Sequence, residues 1–443
     1  MMRTCTKKIL AAMAALLAMT MCGPIQRAAA QEPAQGKTDY TPAEYNAYTV
    51  CAQTKDAQQR VRCLDAFVQQ YPSSTLLVYV YRSYYQSYNE LHNNLKLIEY
   101  ADKELTFGDK LDQAVKLEAL YLRSVAYYTT YNDHDPNAKA LATHARDAAQ
   151  QGLKLIGEMK PPQGTTEEQW AQSKKQVLPL FNSVVGLSCS ALKDFKCSAD
   201  GYKAALADAP TDAVLYFRLG IVYLQMDPPQ QMDAFWALAR SVAQKGPTES
   251  QVRPYLRKQL VNYQLPGCEN LIDPQMNELL ALAAGSPTRP DSYKFPNSAD
   301  LEAARKDMTI ASVLGDLKAG GDKAKITWLA ACGAEFPDVP SKVMEVVPGD
   351  PIVLKVAFVT SQEEFDAATT PNMEVKVAGQ PEASRIEKGN QARFTGTLVS
   401  YEPDPLMVHW DKAKVNPEDI PAEKKQPAKK PPVRRRAPAK KPS

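Results

Sequence analysis

The chain has 443 residues, 44% of them hydrophobic and 23% charged, with a net charge of only +3. That length allows two or three domains, and the composition is that of an ordinary soluble chain. Beyond the N-terminal segment no stretch holds the 18 or so consecutive apolar residues of a membrane-spanning helix, which excludes a spanning bundle. The small net charge hides an asymmetry. Residues 424–443 carry nine Lys or Arg and no acid, and the segment between the N-terminal thirty residues and this tail is strongly acidic.

Residues 1–30 read as a secretory signal peptide. Arg3, Lys7 and Lys8 precede an apolar core, Ile9 to Met21, and Ala28-Ala29-Ala30 offers a cleavage site. Lipoprotein processing at Cys22 is the rival reading. Met19 and Met21 hold the places where a lipobox needs Leu and a small residue, which argues against it. Export makes cysteine pairing relevant. Cys51, Cys63, Cys189, Cys197, Cys268 and Cys332 remain after the signal, an even number. Proximity favours Cys51–Cys63 and Cys189–Cys197, and elimination leaves Cys268–Cys332. Buried free thiols are the alternative.

Residues 31–40 form a polar, disordered lead-in. Helical spacing starts after Thr41-Pro42, a cap followed by proline. Helices are expected around Tyr45–Ala52 and Val61–Val68, then over Leu76–Tyr88 and Leu91–Leu105, then over Leu111–Tyr131 and Asn137–Ile156. Fourteen of the 21 tyrosines lie between Tyr40 and Tyr131. They fill repeat core positions or line an aromatic groove. GEMKPPQGTT (157–166) is a linker, and 248–284 is helical with a break at Leu265-Pro266-Gly267.

Between Leu180 and Gly246 the chain repeats itself at an offset of about 34 residues. Gly186 falls on Gly220, Tyr202 on Trp236 and Ala205 on Ala239. This stretch resembles the tetratricopeptide repeat, whose pattern is met by Tyr216, Leu219, Gly220, Tyr223, Trp236 and Ala239. Asn182, Cys189 and Met232 depart from it. The resemblance implies a stack of helical hairpins over 41–284. It also implies that Leu180, Ser183, Leu187, Val214, Phe217, Arg218, Ile221 and Gln225 face a groove for peptides. Only Arg218 occupies a place used by repeats that clamp a carboxylate.

Residues 285–340 read as a linker and short helices, Leu301–Leu317 and Lys323–Ala331. From 341 to 416 the period drops to two. Strands are expected at Val343–Val347, Ile352–Phe358, Glu374–Val377, Ala392–Tyr401 and Leu406–Trp410. Five short strands suggest a small barrel that weakly resembles the oligonucleotide/oligosaccharide-binding type, with an SH3-like barrel or a small sandwich as alternatives. Residues 417–443 read as a disordered basic tail.

The fold class expected is therefore mainly α, a tetratricopeptide-like solenoid, followed by a small all-β barrel, with disordered termini. Catalytic signatures are missing: no phosphate-cradling loop, nucleophile elbow, zinc-protease motif or Cys-x-x-Cys is present. Asp133-His134-Asp135 is better explained as a turn and cap than as a metal site. His92 opens a helix and His409 lies in a strand. No cofactor or metal is expected. The expected function is that of a non-enzymatic, exported scaffold in the periplasm or at the envelope. Its partners are proteins or peptides in the groove, and anionic envelope material on the tail. A glycan- or oligonucleotide-binding barrel is the alternative.

Overall fold

The structure is a computed structural model and describes residues 39–246 and 248–423. The expected signal peptide, Cys22, most of the expected lead-in and the nine-charge tail lie outside the described residues. The described chain divides into two compact units. One comprises 39–260 with 275–294, the other 261–274 with 295–423.

The first unit is built of paired helices. They are α1 Pro42–Gln53, α2 Ala57–Gln70, α3 Leu77–Glu90, α4 Asn94–Leu105, α5 Gln113–Thr130, α6 Ala138–Glu158, α7 Glu167–Ala191, α8 Phe195–Asp208, α9 Ala213–Gln225 and α10 Gln231–Ala243. Each packs on the next in chain order, and α5 also touches α7 directly. Two further helices, α11 Glu249–Gln264 and α12 Ile272–Gly285, flank the expected break. Local chemistry fixes the starts. Thr41 closes a capping box with Glu44, Asp56 caps α2, Asn93 caps α4 and Asp194 caps α8. Helix α7 begins thirteen residues before Leu180, because Thr166 and Gln169 form a capping box and Trp170, Ser173 and Val177 are buried.

Glycine sets the distance between paired helices at two places. A Cβ on Gly201 of α8 would lie 2.7 Å from the Gly186 backbone nitrogen of α7. A Cβ on Gly186 would itself meet the Tyr202 ring at 2.7 Å. The next pair repeats this contact, Gly220 of α9 lying against Leu238 and Ala234 of α10. These contacts correct the sequence alignment. The structural equivalent of Tyr202 is Leu238, not Trp236, and that of Ser198 is Ala234. The cause is a longer turn. The Asp194 N–H bonds to the Cys189 carbonyl at 2.8 Å, five residues back, whereas Gln230 bonds to Tyr223 at 2.9 Å, seven back. Two extra residues shift the second helix out of the 34-residue frame. The small residue that seemed to be missing at Met232 is Ala234, fully buried.

The second unit opens with three short helices after 295, α13 Ser298–Lys306, α14 Ile310–Ala319 and α15 Gly321–Ala331. The single helix expected over 301–317 is broken because Thr309 and Ser312 form a capping box, starting α14 afresh. Gly320 and Gly321, both near φ +70°, turn the chain from α14 into α15.

The strands are β1 Glu335–Val347, β2 Ile352–Phe358, β3 Met373–Val377, β4 Gln391–Pro403 and β5 Leu406–Val415, with a short helix α16 Gln362–Ala367 before β3. They close into a barrel in the order β1-β2-β3-β5-β4, so a sandwich is excluded. All pairs are antiparallel except β3 with β5. Alternation places Ile352, Leu354, Val356, Met373, Val375 and Val377 inward. Trp410 lies in this core, edge-on to Phe394 and Phe336. The chain stays with the barrel beyond Asn416. Asp419 accepts bonds from the Arg393 backbone N–H at 2.8 Å and from its Nε at 3.0 Å.

All six cysteines outside the N-terminal segment are bonded, Cys51–Cys63, Cys189–Cys197 and Cys268–Cys332, as proximity and elimination suggest. The alternative of buried free thiols falls. Three disulfides mark a chain that folds in an oxidising compartment. Among the described residues no helix is long and apolar enough to cross a membrane.

Candidate inner-face site

The first helices of successive hairpins (α1, α3, α5, α7, α9) touch through side chains, Tyr48 with Tyr79, Arg82 with Glu118, Tyr121 with Phe181 and Tyr128 with Arg218. The eight groove residues expected from sequence lie on two of them, and they differ in exposure. On α7, Ser183 and Leu187 are buried and Leu180 is half-buried. Ser183 donates its hydroxyl to the Pro179 carbonyl at 2.6 Å, inside its own helix. On α9, Val214, Phe217, Arg218 and Ile221 are half-buried and Gln225 is exposed. Phe217 meets the Tyr255 ring edge-on at 6.3 Å.

Arg218 is not a free cation waiting for a ligand. Its guanidinium lies 4.7 Å from the Tyr128 ring of α5. Burial works against its charge, but the Tyr128 and Tyr202 hydroxyls outweigh it and hold the guanidinium above its ordinary value. The same burial pushes the Tyr202 and Tyr127 hydroxyls up to about 12, with Arg218 pulling each slightly down. Arg218 thus joins α9 to α5 through aromatic packing.

Three further residues occupy the same face and were missed from sequence. The turn after α3 matches the turn after α7. The Asn93 N–H bonds to the Tyr88 carbonyl at 2.9 Å, again five residues back. His92 and Lys193 both have positive φ just before a capping Asn93 or Asp194. His92 therefore ends this turn and does not open a helix. Counting back from the shared turn puts Tyr79, Arg82 and Gln86 where Leu180, Ser183 and Leu187 stand. The signal is present in the sequence as Leu91-His92-Asn93 against Leu192-Lys193-Asp194. Its spacing is one residue off three whole repeats.

These three residues carry chemistry that α7 lacks. Tyr79 is 52% exposed, and its ring lies 6.1 Å from Tyr48 of α1. Tyr45 of α1 is 43% exposed and stacks on Tyr40 at 5.7 Å. Arg82 forms an ion pair with Glu118 of α5, and the Gln86 side-chain amide donates to the other Glu118 oxygen at 2.8 Å. The N-terminal hairpins thus present exposed aromatic rings, and α3 adds a polar group fixed by Glu118.

Ser188 is fully buried inside α7. His134 is exposed in a loop where Asp135 accepts from the Asn137 N–H at 2.7 Å. His409 of β5 lies between Glu374 at 3.3 Å and Glu402 at 3.5 Å, on opposite ring nitrogens. Among the described residues no group of three His, Cys, Asp or Glu side chains is placed to hold a metal ion. No protein-family model matches the chain, and no curated protein matches it either.

Proposed function

We propose that this protein is a non-enzymatic scaffold of an exported compartment that holds protein or peptide partners on the inner face of tetratricopeptide-like hairpins. The observation that carries the reading is the row formed by Tyr79, Arg82 and Gln86 on α3, with exposed Tyr45 on the preceding hairpin's α1. An exposed ring shares a helix with a guanidinium and an amide whose directions are already fixed by Glu118. Pre-ordered groups lose less freedom on binding, and aromatic residues supply most of the contact energy in protein interfaces. The compartment is the periplasm or the envelope in this reading, supported by the signal-like N-terminus and three disulfides. The basic tail would add adhesion to anionic envelope material, each cation near such a surface contributing about 1 kcal/mol.

The barrel's strand order, with β3 parallel to β5, fits the oligonucleotide/oligosaccharide-binding type better than an all-antiparallel SH3-like meander. Its surface does not favour nucleic acid. Between 335 and 423 there are sixteen acids against eight Lys or Arg. The outward residues Val353, Lys355, Glu374 and Lys376 of β2 and β3 include no aromatic for base stacking. We assign the barrel a supporting role and leave the partners to the hairpins.

Tyr79→Asp tests the reading. Because Tyr79 is half-exposed, the melting temperature should stay within about a degree of wild type while recovery of specific partners falls roughly tenfold. Quantitative affinity capture of both proteins measures this. Equal recovery from the two would remove the inner face from the binding reaction.

A further inference from the structure

Glu104 sits on α4, and its side chain has no exposure to solvent. Neither carboxyl oxygen makes a hydrogen bond of full geometry, although the Tyr85 hydroxyl of α3 is near enough to favour the charged form. A buried carboxylate so weakly held is costly, and the group resolves this by keeping its proton. The titratable and charged groups that act on it come from both neighbouring helices. Arg82 and Tyr85 belong to α3, and Glu118 belongs to α5. Arg82 Nε, also buried, has no partner. Arg82 has committed only its far end, Nη2, to Glu118.

The arrangement has a vacant donor on Arg82 Nε and, on Glu104, acceptor capacity beyond what Tyr85 uses. We propose that Glu104 is a proton-binding site that selects the partner of Arg82. With the proton bound, Arg82 pairs with Glu118 on the inner face. When the carboxylic O–H releases its proton to solvent, the carboxylate draws Arg82 inward and leaves Glu118 with Gln86 alone. Alkaline conditions would then change the charge offered beside Tyr79 without unfolding the hairpins. This inference stands on the packing of α3, α4 and α5 and does not depend on the inner face binding a partner.

Burial, the largest influence, raises the Glu104 carboxyl to about 8, with Tyr85 and Arg82 opposing and Glu118 adding to it. The unfolded chain releases this proton near 4.5, the ordinary value. Between those two values the folded form holds more protons than the unfolded one, so stability falls as pH rises through the window. Glu104→Gln removes that slope.

The direct experiment needs no variant to report. Carbon-13 spectra of the full chain labelled at the glutamate carboxyl should show one resonance titrating with a midpoint of about 8, while exposed glutamates finish near their ordinary range. The same resonance should vanish in Glu104→Gln. The Arg82 Nε–H signal, assigned by its loss in Arg82→Lys, should shift with the same midpoint. The proposal is overturned if every glutamate finishes titrating below about pH 6. It is equally overturned if the late resonance survives Glu104→Gln, or if the Arg82 signal stays fixed while Glu104 titrates.

Discussion

Replacing Cys268 and Cys332 together by serine is expected to cost the second unit about 4 kcal/mol, more than the loss of either other bridge. The pair is separated by 64 residues, against 12 for Cys51–Cys63 and 8 for Cys189–Cys197. A longer closed loop removes more freedom from the unfolded chain, and the shorter loops are worth about 2.5–3 kcal/mol each on the same reasoning. The bridge also lies at a tight junction of the second unit. A Cβ on Gly267 would sit 2.1 Å from the Cys332 carbonyl oxygen, and Gly333, at φ +79°, lies against the Gly267 backbone. Cutting the bridge therefore releases two backbone strands that pack without side chains between them. Urea unfolding followed through Trp328 and Trp410, both buried in this unit, measures the effect. A larger loss from Cys51/Cys63 than from Cys268/Cys332 would show that loop length does not govern these bridges.

Phe181→Ala should cost the first unit about 3–5 kcal/mol. Phe181 of α7 is fully buried. Its ring fills the space over Gly152 of α6, where a Cβ would come within 2.5 Å of the ring, and it stands edge-on to Tyr121 of α5 at 6.1 Å. One side chain thus joins two neighbouring hairpins. Truncation leaves a cavity that three helices must share, and the aromatic contact is lost with it. Unfolding monitored at Trp170, buried in the same core cluster, should shift strongly. A loss of less than about 1 kcal/mol would mean that the hairpins do not depend on one another here.

Much of the architecture was legible because it rests on short-range signals. Thr41-Pro42, the paired apolar stripes and the alternation of Ile352 to Phe358 each specify local structure by side-chain type alone. The disulfides followed from spacing. What misled was register. Two extra residues in the turn before Gln230 moved the partner of Gly220 from the expected frame, and sequence periodicity does not reveal which loop absorbs an insertion. A helix start was missed where the capping box carries Ser312 instead of the usual Glu or Gln, as at Thr309. The groove was read from the one well-conforming repeat pair, so Tyr79, Arg82 and Gln86 went unnoticed in a copy that has Tyr85 at the Gly186 position. Glu104 could not be recognised at all. An isolated Glu at a helix C-terminus looks solvated until the packing of α3 and α5 shows that it is enclosed.

Photo-crosslinking from single positions tests the central claim most directly. A benzophenone amino acid is placed at exposed Gln225 or Tyr79 on the inner face, and at exposed Lys203 on the second-helix side as control. Adducts with the same partner from positions 79 and 225, and none from 203, are expected if the first helices form the binding face. Labelling from position 203 as strong as from the other two would contradict it.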